Sequence, residues 1–248
     1  MARTGRPATR QVGAVQRAIA ILNELAAART ELGTNEIARR TGINVSTISR
    51  ILATLAGGGL VDHVASTGRY RIGVGIVRLA SAVDLDIRSL ARPHLEELTR
   101  RLGETATLSV PGEHEAATLD FVQSPHTVRS VAEVGRTSAA HATAVGKVLL
   151  AHGGTLPGGR LKAYTERTIV DRAALEAGLA AIRDRGWAQA VGEREEGLNA
   201  VAVPVLGRGR KLAAILGVQG PAARFSPRAM RTAVEILSEQ AAQISAAL

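Results

Sequence analysis

The sequence predicts an α+β protein with two domains, a small helical module followed by a larger domain of strands and helices. The chain has 248 residues, which exceeds the usual length of a single domain. Apolar residues make up 46% and charged residues 21%, the balance of a globular chain with a substantial core. Apolar positions recur at helical spacing over the first third, and after that helical and strand spacings alternate.

Several classes of protein are excluded by what the sequence lacks. There is no cysteine, which excludes disulfide frameworks, Cys-ligated zinc, iron–sulfur clusters and thiol nucleophiles. The six histidines show no H-E-x-x-H pattern and no paired ligand spacing, so we predict no metal and no cofactor; an adventitious metal site in the second domain is the open alternative. No apolar run approaches the roughly 20 residues that span a bilayer, and no signal-peptide pattern opens the chain, so we expect a cytoplasmic protein.

The chain begins with a predicted basic arm and an amphipathic helix. Residues 1–10 are small, polar and basic, which is typical of a flexible arm, and they carry Arg3, Arg6 and Arg10. Residues 12–29 have apolar side chains at three- and four-residue spacing, which predicts a helix. We expect its inward face to consist of Val12, Val15, Ile19, Leu22 and Ala26.

The next two helices have the spacing of a helix-turn-helix. Thr34 is placed to cap the first of them, and Gly42 ends it by supplying a left-handed turn residue. The second covers roughly residues 45–56. A helix-turn-helix needs a small residue where the helices cross, a glycine in the turn four residues later and apolar anchors in the second helix. This window provides them as Ala38, Gly42, Ile48 and Ile51.

The exposed side of the second of these helices is predicted to contact DNA. It carries hydroxyl groups and a guanidinium, which hydrogen-bond to base edges and phosphates. The alternative is a plain helical hairpin, in which Glu and Lys are more usual on that side. The candidate DNA-binding residues are Asn44, Ser46, Thr47, Ser49, Arg50 and Thr54.

A predicted β-hairpin, the wing, completes residues 11–72 as a winged helix-turn-helix domain. Residues 60–64 and 69–72 alternate like strands around a short turn. Arg69, beside the tip, is a candidate phosphate or minor-groove contact, with a solvated arginine as the alternative. Residues 1–72 hold ten arginines and four acids, +6 of the chain's net +9. This excess is typical of a polyanion-binding module, although codon bias toward arginine is the alternative source.

A linker helix and an α+β domain are predicted for the rest of the chain. Residues 73–90 keep a helical period and form the predicted linker, and Pro93 opens the next helix, near 93–102. The domain of residues 91–248 then has predicted strands at 105–110, 117–122, 127–132 and 187–191, helices at 144–151 and 171–186, a hairpin of 200–206 with 212–218, and a final helix at 227–248. This order favours an antiparallel or mixed sheet with helices packed on it.

Several motifs in the correct order resemble the IclR family of bacterial transcriptional regulators along nearly the whole chain. The helix-turn-helix window is residues 34–61, and the approach to the linker is residues 68–80. The most specific segment is HATAVGKVLLA at residues 141–151. It is followed by TIVD at 168–171 with Leu175, by EEGLNAVAVPV at 195–205, in which the Glu pair is closer to the Gly than usual, and by GVQGPAARFS at 217–226.

The resemblance implies a GAF-like effector-binding domain, a small organic effector, and homodimers or dimers of dimers. In the family, the ligand lies against the first turn of the helix that begins in the HATA segment and against strands near the C-terminus. Carried over to this sequence, the effector-binding residues are Ser138, Ala144, Val145, Ala190, Leu198, Ala200, Gly217 and Gln219. Gln219 and Gly217 stand where small hydroxyl residues are frequent, and Ala190 replaces a polar residue of some members. The effector therefore need not be the small keto acid of some relatives: a larger molecule, such as an aromatic acid, or one recognised through an amide is the alternative.

The sequence accordingly predicts a DNA-binding transcriptional regulator, repressor or activator, of a palindromic operator, whose affinity is modulated by a carboxylate or aromatic-acid-like effector. The alternative is a small-molecule-binding enzyme or hydrolase with a vestigial helix-turn-helix. We find no nucleophile with a base and no catalytic residue, and Gly146-Lys147 lacks the preceding glycine of a P-loop. Glu193, Glu195 and Glu196 are interpreted as a solvated loop. His141 is interpreted as a hydrogen-bonded structural residue, with pocket lining as the alternative.

Overall fold

The computed structural model describes residues 12–80, 86–156 and 158–248. They divide into two compact units with the boundary between residues 85 and 86. The predicted α+β class, with a helix-turn-helix unit ahead of a sheet domain, is confirmed. The predicted basic arm, with Arg3, Arg6 and Arg10, lies outside the described residues. Within the described ranges, no helix is both long and apolar enough to cross a membrane.

The first unit is a winged helix-turn-helix. Its elements are helices α1 (Gly13–Ala28), α2 (Thr34–Thr41) and α3 (Val45–Gly57), the antiparallel strands β1 (Val61–Val64) and β2 (Arg69–Ile72), and a short helix α4 (Gly75–Ala80). Gly42 ends α2 with a φ of 69°, as predicted. The residue before the helix is Gly33, so the predicted capping role of Thr34 is wrong: Thr34 is the first helical residue and its side chain caps nothing.

The predicted inward face of α1 is wrong at every position but Leu22, which is half-buried; Ala26 is exposed. Val12, Val15 and Ile19 are 64%, 56% and 52% exposed, whereas Ile21 and Leu25 are buried. The buried pair packs with Ile37 of α2 and with Ile48 and Leu52 of α3. Because α1 carries apolar residues on more than one side, its period fits two faces, and only the packing of α2 and α3 selects between them.

The second unit is built on a six-stranded antiparallel sheet. Its strands are β3 (Thr105–Pro111), β4 (Ala116–Val122), β5 (Thr137–Ser138), β6 (Ala188–Val191), β7 (Leu198–Leu206) and β8 (Leu212–Pro221), in the spatial order β5-β4-β3-β8-β7-β6. Helices α5 (Asp86–Leu102) and α8 (Pro227–Ala246) pack on one face. Helices α6 (Ala144–Ala151) and α7 (Arg172–Arg185) pack on the other.

Helix α5 corrects the predicted helix boundary at Pro93. The helix begins at Asp86 and continues through Pro93 to Leu102. Pro93 has no N–H to donate to the carbonyl of the preceding turn, which usually weakens a helix. Here Ala91 before it, and Leu95 and Leu98 after it, are all fully buried against the sheet, and this packing keeps the helix continuous. The predicted linker helix at 73–90 corresponds to α4 and the start of α5; residues 81–85 between them lie outside the described residues.

The predicted strand at 127–132 is also wrong. Residues 123–136, which we call the strap, have no regular secondary structure, and the strand that pairs with β4 is β5. Side chains take the place of a neighbouring strand here. The carbonyl of Ser130 accepts hydrogen bonds from Thr105 Oγ1 at 2.9 Å and from Gln123 Nε2 at 2.6 Å.

Candidate functional site

Helix α3 presents a polar ridge on the surface of the first unit. Ile48, Leu52 and Leu55 bury one side of the helix in the core, so the opposite side faces solvent. Of the six residues of this helix and its N-terminal cap predicted to bind DNA, Thr47 is half-buried. The other five are exposed: Asn44, Ser46, Ser49, Arg50 and Thr54. The structure therefore brings the predicted residues together on one continuous face.

The hydroxyl groups of this ridge donate locally. Ser46 Oγ donates to Asn44 Oδ1 at 2.9 Å, Ser49 Oγ to the carbonyl of Val45 at 3.0 Å, and Thr54 Oγ1 to the carbonyl of Arg50 at 3.0 Å. Asn44 Oδ1 also accepts from the backbone N–H of Thr47 at 2.8 Å and so caps α3. The outward lone pairs of these oxygens remain free to accept, and each hydroxyl can rotate to donate.

Arg50 differs from Arg40 and Arg69, the two arginines of this unit that bind Glu36. Its side chain is exposed and makes no hydrogen bond or ion pair within the described residues. Arg40 and Arg69, by contrast, bind Glu36 at 2.7 Å each. On a helix that lies in a major groove, a free guanidinium can bind the O6 and N7 of guanine in bidentate fashion.

Arg69 is committed to the protein and is not a free cation at the wing tip. Its Nη2 binds Glu36 Oε2 at 2.7 Å, and its Nε and Nη2 both donate to the carbonyl of Glu31, at 3.1 and 3.0 Å. These bonds fasten the wing to the start of α2. Arg40, and with it Arg69, hold the pKa of Glu36 below its ordinary value. The Arg69 side chain is still 42% exposed and its Nη1 makes no described hydrogen bond, so the predicted phosphate contact of Arg69 stays a prediction.

The second unit contains a cavity of about 430 Å³ beside the sheet. Its walls are the six strands β3 to β8, the first turn of α6, the strap and the loop at 192–197. Six of the eight predicted effector-binding residues line it: Ser138, Val145, Ala190, Leu198, Ala200 and Gln219. The other two, Ala144 and Gly217, are not among the described residues of its lining; Gly217 lies beneath Val145 and Thr107.

The floor of the cavity is polar. Thr107 and Ser109 alternate along β3 and project into it, and Thr118 and Gln219 join them from β4 and β8. Ser109 is 1% exposed, and its hydroxyl makes no hydrogen bond within the described part of the chain. This hydroxyl lines the cavity and can donate to or accept from a bound molecule, so Ser109 is a candidate for binding a ligand.

The first turn of α6 closes one end of the cavity. Thr143 caps the helix by accepting from the backbone N–H of Gly146 at 3.0 Å. Thr143 and Val145 line the cavity, so the positive end of the helix dipole faces it. His141, just before this turn, donates from Nε2 to the carbonyl of Lys162 (2.9 Å) and is not among the described lining residues, in agreement with its predicted structural role.

A buried ion pair holds α6 to the loop at 192–197. Lys147 Nζ lies 2.6 Å from both carboxylate oxygens of Glu193 and also donates to the carbonyl of Gln189. The two side chains are 6% and 10% exposed. Burial lowers the pKa of Lys147, and Glu193 acts in the opposite direction. The prediction that Glu193 belongs to a solvated loop is therefore wrong; Glu195 and Glu196 are exposed.

The sequence interpretation missed Ser109, Thr107 and Arg194 as cavity residues. The alternation of Thr105, Thr107 and Ser109 along β3 was a usable signal, because it places three hydroxyls on one face of a strand. Arg194 gave no such signal. Its position depends on contacts with residues about 30 or more positions away. Among the described residues, no cluster of His, Asp or Glu is arranged to hold a metal ion.

Comparison with protein families finds two matches that together cover nearly the whole chain. The model for the bacterial transcriptional regulator IclR C-terminal domain matches residues 79–246, and that for the IclR helix-turn-helix domain matches residues 14–65. The HTH-type transcriptional regulator Rv1719 of Mycobacterium tuberculosis is 37% identical over 230 residues, which is 90% of this chain and 88% of that protein. The HTH-type transcriptional regulator XynR of Escherichia coli is 31% identical over 245 residues, 96% and 97% of the two chains.

A solved structure of an IclR homolog from Microbacterium hydrocarbonoxydans, complexed with 4-hydroxybenzoate, resembles the chain with a TM-score of 0.79 and 27% identity. The match covers 94% of this chain and 98% of that one. The IclR structure of Thermotoga maritima has a TM-score of 0.71 and 27% identity, covering 94% and 98%.

Proposed function

Because the chain belongs to the IclR family and is a DNA-binding transcriptional regulator, we propose that a small organic carboxylate bound in the cavity of the second unit modulates its affinity for a palindromic operator. The observation that carries this proposal is the cavity of about 430 Å³, with the Ser109 hydroxyl in its lining, bonded to no described residue, and the start of α6 at one end. Both features suit a polar anion. The named relatives are regulators, so the enzyme alternative has no support.

The DNA side of the proposal rests on the polar ridge of α3. Two copies of the chain in a homodimer, or in a dimer of dimers, would place two α3 helices in major grooves about 34 Å apart or a multiple of that. Arg50 is the candidate base-reading residue, with Asn44, Ser46, Ser49 and Thr54 around it. The arginines of residues 1–10 would add phosphate or minor-groove contacts.

The cavity supports a hydroxylated or otherwise polar acid better than a stacked aromatic acid. No aromatic side chain is among the described residues of its lining, whereas Thr107, Ser109, Thr118, Ser138 and Gln219 are. The 4-hydroxybenzoate of the Microbacterium structure is nonetheless a useful probe, because it combines a carboxylate with a hydroxyl and fits the size of the cavity. An effector shifts operator affinity only by its different affinity for two states of the protein, and the coupling acts in both directions.

The test begins with selection of duplexes from fragmented genomic DNA by the purified full-length protein. The enriched duplex is titrated at several salt concentrations, with and without members of a panel of organic acids. We expect enrichment of one inverted-repeat sequence, a logarithmic salt slope of about −0.9 per phosphate contact, and a shift of affinity by at least one acid. A flat salt response without enrichment would contradict the DNA side, and a panel without effect would contradict the effector side.

A further inference from the structure

The loop at 192–197 is held in one conformation by contacts from two directions. From α6, Lys147 binds Glu193 through the buried ion pair described above. From the segment before α7, Thr168 Oγ1 donates to the carbonyl of Glu193 and Thr165 Oγ1 to the carbonyl of Gly192, both at 2.7 Å. The backbone that leads into Arg194 is therefore fixed on both sides.

Arg194 follows this anchor and lines the cavity. Its guanidinium carbon lies 4.1 Å from the centroid of the Tyr164 ring, a cation–π contact that orients the side chain. The residue is half-buried, and within the described residues it has no carboxylate partner and donates no hydrogen bond to the protein. Stacking uses the face of a guanidinium, so its N–H groups remain available.

The other charged residues of the cavity differ from Arg194. Arg136 and Arg129 line it too, but both are exposed; Arg136 is paired with Glu195 at 3.3 Å, and Arg129 donates to the carbonyl of His126. Three carboxylates also line the cavity, and Glu133, Glu195 and Glu196 are all exposed at its rim. Among the charged residues of the lining, Arg194 is therefore the one that is partly buried and has no opposite charge beside it, so this site favours an anion.

We propose that Arg194, oriented by Tyr164, binds the carboxylate of the effector, and that Ser109 of β3 hydrogen-bonds a hydroxyl or carbonyl oxygen of the same molecule. This inference rests on the proposed effector function and narrows it to a small monocarboxylic acid with a further oxygen. Arg194 and Ser109 then determine specificity, and Tyr164 is a positioning residue. The attraction of a charge-assisted, bidentate pair explains why a half-buried guanidinium is left without an internal partner.

The test uses matched probes and a matched control variant. Wild type, R194M and R136M are compared by isothermal calorimetry and thermal shift against a panel of carboxylates and their primary amides, beginning with 4-hydroxybenzoate and 4-hydroxybenzamide. R136M is the control because Arg136 lines the same cavity but already has a carboxylate partner. We expect R194M to weaken binding of the carboxylates by about 10- to 100-fold and to leave amide binding unchanged, and R136M to change either by about threefold at most.

Two further variants separate positioning from folding. Y164L should weaken carboxylate binding in the wild-type background and have no further effect in the R194M background, which a purely structural loss would not reproduce. R194Q, checked by circular dichroism, replaces R194M if the methionine variant does not fold.

Equal carboxylate affinity in wild type and R194M would overturn the inference, as would a wild-type protein that binds only the amides. If neither class of compound binds or alters operator affinity, the proposed effector function fails as well. Binding of neutral compounds that shifts operator affinity would retain that function and reject only the role of Arg194.

Discussion

Replacing Lys147 by methionine should destabilise the second unit strongly, because it leaves a buried carboxylate without a counter-charge. Glu193 has a side chain only 10% exposed, and both of its oxygens are 2.6 Å from Lys147 Nζ. Breaking a buried pair by removing one partner typically costs about 3–5 kcal/mol. For a unit of this size, that corresponds to a drop in Tm of roughly 10 °C.

The measurement can be confined to the unit that carries the pair. The chain has a single tryptophan, Trp187, immediately before β6, and its ring stacks on Arg185 at 3.9 Å. Urea unfolding followed by tryptophan fluorescence therefore reports on the second unit and not on the helix-turn-helix. The urea concentration at the midpoint of unfolding should be lower for K147M than for the wild type. The dependence of the free energy of unfolding on urea concentration should be unchanged.

The double variant K147M/E193L separates charge from packing. Removing both partners should recover most of the lost stability, because no unpaired charge remains buried. If K147M lies within about 1 kcal/mol of the wild type, the carboxylate does not depend on Lys147 and our account of the loop fails. If the double variant is as unstable as K147M, the loss comes from the packing of the lysine stem.

Four other predictions concern both units. Arg50→Ala should weaken operator binding by about 1–3 kcal/mol with a smaller loss on random DNA, and equal losses in duplex titrations would indicate a phosphate contact only. Deleting residues 1–10 should reduce the salt slope of DNA binding; an unchanged slope would remove the arm from the interface. The pKa of Glu36 lies below its ordinary 4.5, so the stability that ionised Glu36 contributes is present above pH 4.5 and is lost as the pH falls through the pKa of the folded state. Glu36→Gln should lack this loss when acid unfolding is followed by circular dichroism. Identical acid unfolding of the variant and the wild type would disprove the contribution. Gly217→Ala should cost about 1–3 kcal/mol in urea unfolding, because the added Cβ would lie 2.9 Å from Thr107 Oγ1; wild-type stability would mean that the neighbours relax freely.

The sequence predicted best those features that local chemistry determines. Gly42 ends α2, and of the two predicted anchors of α3 Ile48 is buried and Ile51 half-buried against the core, because a left-handed turn residue and a helical period act within a few positions. The face of α1 was predicted wrongly because its apolar residues fit two faces. No strand forms at 127–132, and the carbonyl of Ser130 in this segment accepts from the side chains of Thr105 and Gln123 instead of from a neighbouring strand.

The lining residues of the cavity that were predicted correctly are those that the family resemblance supplied. Resemblance pointed to Gln219, Val145 and Ala200, which the structure puts in the lining. Neither spacing nor composition could join Lys147 to Glu193, 46 positions apart, or Arg194 to Tyr164. Such pairs depend on how the sheet and α6 come together, which a single sequence does not specify.

One face of the six-stranded sheet packs in an apolar core and the other lines the cavity, so the cavity can be redesigned separately. The α5–α8 side holds one apolar core, while the cavity draws on the α6 side, so neighbouring residues of one strand, such as Val218 and Gln219, serve different faces. Randomising Gln219, Ala200 and Thr118 should yield biosensors with new ligand preferences while the α5–α8 core remains intact.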